Sequence, residues 1–205
     1  MVIRNPMLWL CCAAVTLLSA GARAEGLTWQ YLDARYQQPS DDSIRGGAAT
    51  VSVEATDNWV VQGGASYVRL KESNPDLKVS QRRIDLSVGR VFDLGERVSL
   101  LASAGYTHLR YDVKVGTVDV DGRDHVGNAQ LILRAALSQR LEAEGSIGLL
   151  FDDEDTSDAL WNAGLRYRFT PAASVLLGAN GIASDAFDGD DVLYEIGFRF
   201  ELDGE

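Results

Sequence analysis

The sequence predicts an all-β chain that folds as an antiparallel up-and-down transmembrane β-barrel of ten strands, alternatively eight, after an N-terminal signal peptide. Two observations carry this prediction. Apolar and polar residues alternate with a period of two almost throughout residues 25–205, as they do in strands that bury one face. Short and long connections also follow one another in strict alternation, which is typical of membrane barrels with tight turns on one rim and long loops on the other.

Residues 1–24 have the pattern of a secretory signal peptide. Arg4 supplies a positive charge, the run from Met7 to Leu18 is apolar, and Ala22-Arg23-Ala24 matches a signal peptidase site. Both cysteines, Cys11 and Cys12, lie in this segment. We therefore expect residues 25–205 to form an exported barrel domain that contains no thiol.

Each strand is predicted from the spacing of its apolar residues. We expect strands at 27–36, 46–55, 59–71, 80–92, 97–111, 125–137, 142–151, 160–169, 174–181 and 192–200. The defining apolar residues include, in chain order, Trp59, Val61 and Tyr67; Ile84, Leu86 and Val88; Leu100, Ala102 and Tyr106; Leu131 and Leu133; Ile147 and Leu149; Trp161 and Leu165; and Ile196, Phe198 and Phe200.

The first strand breaks the alternation. Trp29 and Tyr31 have the opposite parity to Leu32, Ala34 and Tyr36. Either a β-bulge or a placement of the two aromatic rings inside the barrel would reconcile them.

The acidity of the chain is concentrated in the predicted long loops. The chain has a formal net charge of -11, and the five long connections hold 17 acidic residues and four basic ones. Such a chain is a poor candidate for nucleic-acid binding, which needs basic surface. The long connections are predicted at 37–45, 72–79, 112–124, 152–159 and 182–191.

Alternation alone does not tell a membrane barrel from a soluble periplasmic barrel that binds an apolar ligand. The polar faces of the strands carry acidic and basic residues in near balance, as expected for ion pairs inside a lumen. Aromatic residues of the apolar faces lie near strand ends, where membrane interfaces place them; they are Trp59, Tyr67, Phe92, Tyr106, Phe151, Trp161, Phe169 and Phe200. Both features favour the membrane barrel. The predicted lumen-lining residues are Glu54, Arg83, Asp85, Arg134, Glu144, Arg166, Glu195 and Arg199.

The chain resembles the small Gram-negative outer-membrane β-barrel family of the OmpX/OmpA-like type. Its last predicted strand reads Tyr194-Glu195-Ile196-Gly197-Phe198-Arg199-Phe200, which is similar to the C-terminal assembly signal of such proteins. The resemblance implies insertion by the barrel-assembly machinery, with Tyr194, Gly197, Phe198 and Phe200 as the signal. It also implies a location in the cell outer membrane with both termini in the periplasm.

The acidic loops contain weak candidates for a metal site. Asp152, Asp153, Asp155, Asp188 and Asp190 could supply the oxygen ligands that Ca²⁺ prefers. The segment 119–124 begins like an EF-hand loop but lacks the downstream Glu. The alternative is a solvated acidic rim, and we assign no cofactor.

The two histidines do not form a recognisable catalytic set. His108 and His125 are the only ones, and neither lies in a nucleophile motif. The pairs Asp41-Asp42 and Asp124-His125 are the only candidates for a protease-like arrangement. We therefore expect no catalysis. His108 and Arg110, with Arg69, could instead contact phosphates of lipopolysaccharide, or simply extend toward the membrane interface.

Three functions remain open at the level of the sequence. The first is a structural or surface-interaction barrel with acidic extracellular loops and outer-membrane lipid and lipopolysaccharide as partners. The second is a narrow, porin-like channel for small solutes. The third is a soluble periplasmic ligand-binding barrel. The sequence identifies neither a ligand nor an oligomeric state.

Overall fold

The computed structural model shows ten β-strands that close into one antiparallel barrel. Each strand pairs with the next, and the last strand pairs with the first. The predicted ten-strand fold is confirmed, and the eight-strand alternative is wrong. No helix among the described residues has the length and apolarity needed to span a membrane. The residues that the structure describes are 27–39, 44–71, 77–116, 118–151, 157–183 and 192–202.

Strand length divides the wall into two parts. Three consecutive strands contain 18 or 19 residues, whereas the other seven contain 9 to 14. The long strands therefore project above the rest of the barrel. The strands are β1 (Tyr31–Pro39), β2 (Ile44–Thr56), β3 (Trp59–Lys71), β4 (Leu77–Gly95), β5 (Val98–Val115), β6 (Val118–Ala136), β7 (Leu141–Phe151), β8 (Ser157–Thr170), β9 (Ala173–Ala183) and β10 (Val192–Glu201).

Part of the projecting β5–β6 hairpin is formed by residues that were predicted to be a loop. The sequence analysis expected a long connection over 112–124, but β5 continues to Val115 and β6 begins at Val118. At the tip, Gly116 has a φ of 59°, a left-handed conformation that glycine adopts without steric penalty. The pairing of β6 with β7 starts only at Gly127. Above that level the described hairpin is bonded on one side alone, to β4.

The first strand begins later than predicted, at Tyr31. Trp29 and Tyr31 are buried inside the barrel, while Leu32 is exposed on the wall. The pairings of β1 with its two neighbours contain no register shift. Of the two explanations offered by the sequence, the inward aromatic rings are therefore correct and the bulge is wrong.

The outer wall of the barrel is apolar. Its large aliphatic side chains are well exposed, with Leu86 at 61% and both Ile147 and Leu177 at 62%. Phe92, expected among the interfacial aromatic residues, is instead buried, and the Arg90 guanidinium lies 5.6 Å from its ring centroid. The other predicted interfacial residues are exposed near strand ends: Trp59, Tyr67, Tyr106, Phe151, Trp161, Phe169 and Phe200.

The interior contains two apolar clusters and a set of buried charged side chains. An apolar cluster fills the short-turn end, and a smaller one lies toward the long-loop end. Buried charged side chains lie against the first cluster, where the guanidinium groups of Arg134 and Arg199 lie 5.0 and 3.7 Å from the ring centroids of Trp29 and Tyr31. The first cluster contains Trp29, Tyr31, Val60, Val91, Leu101 and Ile132, and the second contains Leu109, Val126 and Leu150 with Tyr111 and Leu160 against it.

The apolar wall predicts a depth-dependent penalty for a charge. Leu177 lies in the middle of β9, whereas Phe169 lies near the short-turn end of β8. We expect Leu177→Arg to lower the free energy of unfolding by about 2–4 kcal/mol and Phe169→Arg by about 0–1 kcal/mol, because the cost of a cation falls toward the interface. Urea titration of protein folded into lipid vesicles measures both values. Equal costs would contradict a lipid-facing wall.

Candidate functional site

The central feature of the lumen is a set of eight charged side chains. We call it the lumenal network, and it contains four arginines and four carboxylates, so its formal charge is zero. Five of its members were predicted to line the lumen from the parity of their strands. The network consists of Asp33, Arg35, Arg134, Glu142, Glu144, Arg166, Glu195 and Arg199.

Two carboxylates hold the centre of the network. Asp33 on β1 accepts hydrogen bonds from Arg35, Arg166 and Arg199 at 2.9–3.2 Å. Glu144 on β7 accepts from the same three guanidinium groups at 3.0, 3.4 and 2.9 Å. Three cations thus bridge two anions across the lumen. These contacts join β1, β7, β8 and β10 through side chains, although β1 and β7 are not neighbours in the sheet.

Glu195 extends the network toward the long-loop rim. Its carboxylate accepts from the Arg35 guanidinium at 3.0 Å. It also accepts from the side-chain amides of Asn162 at 2.6 Å and Asn180 at 2.9 Å. The side-chain amide of Gln37 donates to it as well, at 3.5 Å, so the buried charge is paired with one cation and three neutral donors, as a buried carboxylate requires.

Arg134 ties the residues before β1 to the lumen. Its guanidinium donates to both oxygens of Glu142, at 2.6 and 2.9 Å, and to the carbonyl oxygen of Thr28. It also lies 5.0 Å from the ring centroid of Trp29, within the range of a cation–π contact. The indole Nε1 of Trp29 donates to Ser99 at 2.9 Å. Residues 27–30 are thereby held across the short-turn mouth of the barrel.

A second, smaller polar group lies above the network. Arg83 donates from Nε to Asp85 at 2.7 Å, and Thr107 donates to the same carboxylate at 2.7 Å. Asn128 donates in turn to Thr107 at 2.9 Å. The side chains of Arg83 and Asp85 are 27% and 26% exposed, so this group is more hydrated than the lumenal network.

Some buried polar atoms near the short-turn end have no protein partner. They include Nε and Nη1 of Arg166 and both carboxylate oxygens of Glu201. Arg166 lines a vestibule of about 370 Å³ together with Arg140 and Arg168. The vestibule opens at the rim of the short turns, below the lumenal network.

Three members of the network, Asp33, Arg35 and Glu142, were absent from the lumen-lining residues predicted from sequence. Asp33 and Arg35 alternate with Leu32 and Ala34 on β1, so the sequence pattern could have placed them on the inner face. The opposite parity of Trp29 left the inner face of this strand unassigned. Glu54, another residue predicted to line the lumen, accepts a hydrogen bond from the backbone N–H of Trp29 at 3.3 Å.

The predicted assembly signal forms part of β10. Tyr194, Phe198 and Phe200 project outward and are about half exposed, whereas Gly197 is buried. A Cβ atom at Gly197 would lie 3.0 Å from Cγ of Arg35. This glycine therefore has a packing reason to be small, because it leaves room for a central arginine of the network.

The weak metal candidates are not assembled by the described residues. Asp152, Asp153, Asp155, Asp188 and Asp190 all lie outside the described part of the chain. Within the described part, no group of three or more His, Cys, Asp or Glu side chains could hold a metal ion. The EF-hand-like segment 119–124 is a portion of strand β6, so its resemblance to a calcium loop is wrong.

Asp119, at the start of that segment, is already paired. It accepts a hydrogen bond from Nζ of Lys114 across the hairpin at 2.6 Å, and this bond raises the pKa of the Lys114 ammonium group. The pair therefore belongs to the hairpin tip and leaves one carboxylate fewer for a metal ion.

The histidines lie together on the outside of the barrel. His108 and His125 are paired across β5 and β6, with their Nδ1 atoms 3.3 Å apart. Asp124 has the opposite parity and lines a small cavity at the upper lumen. The candidate pair Asp124-His125 is therefore divided between the two faces of the wall, and Asp41-Asp42 lies outside the described residues.

Comparison with known proteins gives a family and a fold. A family model described as the outer membrane protein beta-barrel domain matches residues 10–202. No curated protein matches the sequence. The structure is similar to the translocator domain of autotransporter NalP from Neisseria meningitidis, with 13% identity, a TM-score of 0.50, and coverage of 96% of this chain and 95% of that one.

Two further solved structures are similar to this chain. The N-terminal β-barrel domain of Pseudomonas aeruginosa OprF is 18% identical, with a TM-score of 0.38 over 83% of this chain and 94% of that chain. Ail, the attachment invasion locus protein of Yersinia pestis, is 16% identical, with a TM-score of 0.36 over 83% of this chain and 94% of that chain.

The centre of the network should be much more sensitive to substitution than its periphery. We expect Glu144→Gln to lower the free energy of unfolding by about 3–5 kcal/mol, because it leaves buried guanidinium charge uncompensated. Asp85→Asn removes the partner of a partly hydrated arginine and should cost about 0–1 kcal/mol. Urea unfolding in lipid vesicles compares the two variants with the wild type. A cost for Glu144→Gln no greater than that for Asp85→Asn would contradict the central role of Glu144.

Proposed function

Because the chain belongs to the outer membrane protein β-barrel family, we propose that it is a plugged, non-catalytic barrel whose long-loop rim is exposed at the cell surface. The observation that carries this proposal is the lumenal network. Its central arginine residues, Arg166 and Arg199, are each 1% exposed. A continuous water-filled pore would leave such groups hydrated. The role that fits a closed lumen is display of the outer rim to lipid and to other surface molecules.

Three layers support the closed state. Residues 27–30 lie across the short-turn mouth, where Arg134 and Ser99 bind Thr28 and Trp29. The lumenal network fills the middle. The apolar cluster around Leu109 narrows the upper lumen. A solute would have to displace all three layers, which is a stronger barrier than a single constriction.

The proposed orientation follows from the connections. Outer-membrane barrels place short turns in the periplasm and long loops outside. The described short turns connect β2 to β3, β4 to β5, β6 to β7 and β8 to β9. The β5–β6 hairpin and the acidic connections would then face the exterior. This arrangement also requires that residues 1–24 act as the export signal and that β10 is read by the barrel-assembly machinery.

Planar-bilayer recording tests the closed lumen. Refolded protein of residues 25–205, shown to be inserted by heat-modifiable gel mobility, should give no discrete current steps. The double variant Glu144→Ala/Arg199→Ala removes an anion and a cation from the centre together, and it should give steps in the same assay because it opens the middle layer. Discrete steps from the wild type that change in Arg134→Ala would instead establish the narrow channel.

Cysteine labelling tests the orientation separately. In intact cells, a large membrane-impermeant maleimide should label Asp119→Cys at the hairpin tip, but label Gln139→Cys in a short turn only after lysis. The wild type is the control, because Cys11 and Cys12 leave with the predicted signal peptide. The reverse pattern would mean that the barrel is inserted the other way. Labelling of the lysed wild type would mean that the signal segment is retained.

A further inference from the structure

A strip of basic side chains follows the outer face of β2 to β6. Arg82 on β4, Arg110 on β5 and Arg123 on β6 are consecutive partners in the register. Arg45 on β2 and Arg69 on β3 are also directly paired. We call these five residues the basic strip. All have the parity of the apolar outer wall, and the row of three begins beside Tyr67, which pairs with Arg82.

Without a bound anion, the basic strip lowers the stability of the folded barrel. Like charges directly opposite each other on neighbouring strands are destabilising, because their Cβ atoms lie only about 4.5–5.5 Å apart. The strip contains three such pairs: Arg45 with Arg69, Arg82 with Arg110, and Arg110 with Arg123. A set of adjacent cations of this kind becomes favourable when anions lie between them.

Carboxylates of the described chain supply only part of that compensation: Asp112 and Asp121 are paired in the next outward row, above Arg110 and Arg123. Among the described residues, Arg110 is the member of the strip with a recorded ion pair, to Asp112 at 3.7 Å. Its Nε atom is buried and has no hydrogen-bond partner there. Arg82 lies 6.0 Å from the ring centroid of Tyr67, a contact that keeps its guanidinium close to the wall. The strip therefore presents donors outward rather than into an internal network.

The strip is confined to one side of the barrel. The outward positions of β7, β8, β9, β10 and β1 carry no Lys, Arg or His within the described residues. Simple extension of cations toward water at a membrane interface would not by itself select one side. His108 and His125 lie directly below Arg110 and Arg123 on the same face. The side chains are thus grouped as a local site that borders the apolar wall.

We propose that the basic strip binds the phosphate groups of lipopolysaccharide in the outer leaflet. Guanidinium groups form paired hydrogen bonds with phosphate oxygens, and neighbouring strands bring two or three of them within reach of one phosphate. The apolar wall below, with Ile84, Leu86 and Tyr106 exposed, packs against the acyl chains of the same molecule. The strip and the wall together thus recognise a phosphate group that is attached to a lipid. The acidic loops above remain free for other contacts.

The inference rests on the proposed orientation, which the maleimide experiment tests without any lipid ligand. For the strip itself, the full barrel of residues 25–205 is refolded in nonionic detergent and mixed with diphosphoryl lipid A or with chemically dephosphorylated lipid A. Native mass spectrometry gives the fraction of protein that carries each lipid. The variant is Arg82→Gln/Arg110→Gln/Arg123→Gln. The matched control, Arg90→Gln/Arg97→Gln/Arg140→Gln, removes the same charge near the short-turn rim.

We expect the wild type and the control to bind diphosphoryl lipid A equally and to prefer it clearly over the dephosphorylated lipid. The strip variant should bind diphosphoryl lipid A about tenfold more weakly or worse, because each basic residue near an anionic lipid surface strengthens attraction. Its binding of dephosphorylated lipid should not change. Equal binding by the strip variant, or an equal loss in the control, would overturn the proposal. Heat-modifiable mobility and silent bilayer recordings for both variants separate loss of the site from loss of the plugged barrel.

Discussion

The requirement that buried charge be paired governs the interior of this barrel. Removing an ion from water costs several kcal/mol even after relaxation, and only well-formed ion pairs and hydrogen bonds offset that cost. Here Asp33 and Glu144 each form ion pairs with the same three guanidinium groups. Removing any one of these side chains would therefore leave a buried charge with fewer partners in a medium of low dielectric constant. The backbone ladder joins only neighbouring strands, whereas this network joins β1 to β7 across the lumen. The wall is thereby braced from within.

The same requirement explains the closure of the short-turn mouth. Arg134 is completely buried, and Glu142 satisfies only part of its donor set. Its Nη1 atom donates to the carbonyl oxygen of Thr28, and its guanidinium group lies against the ring of Trp29. The segment before β1 is consequently a structural component of the lumen. The hydrogen-bonding requirement of one buried arginine thus holds residues 27–30 across the barrel mouth.

The strands could be predicted from the sequence because a barrel wall is the simplest case of period-two alternation. β3 was predicted with both ends correct, since Trp59 and the turn before it mark its start. The β5–β6 hairpin was missed because its acidic composition suggested a loop. Val113, Val115, Val118 and Val120 nevertheless alternate with charged residues there. Parity placed single residues on a face, but it could not show that Asp33 and Glu144 meet, because that contact depends on closure of the barrel.

The arginines on the inner and outer faces of the wall differ in whether carboxylates neutralise them. Inside, each network arginine has a carboxylate from another strand, and the charges cancel. Outside, three consecutive strands place arginines beside one another with a single long ion pair, at Arg110. A wall that needed only solubility above the membrane could have alternated the signs, as the tip does with Lys114 and Asp119. From strand to strand, however, the signs do not alternate at the level of Arg82, Arg110 and Arg123, and this row of cations makes an external anion the natural counterpart of the strip.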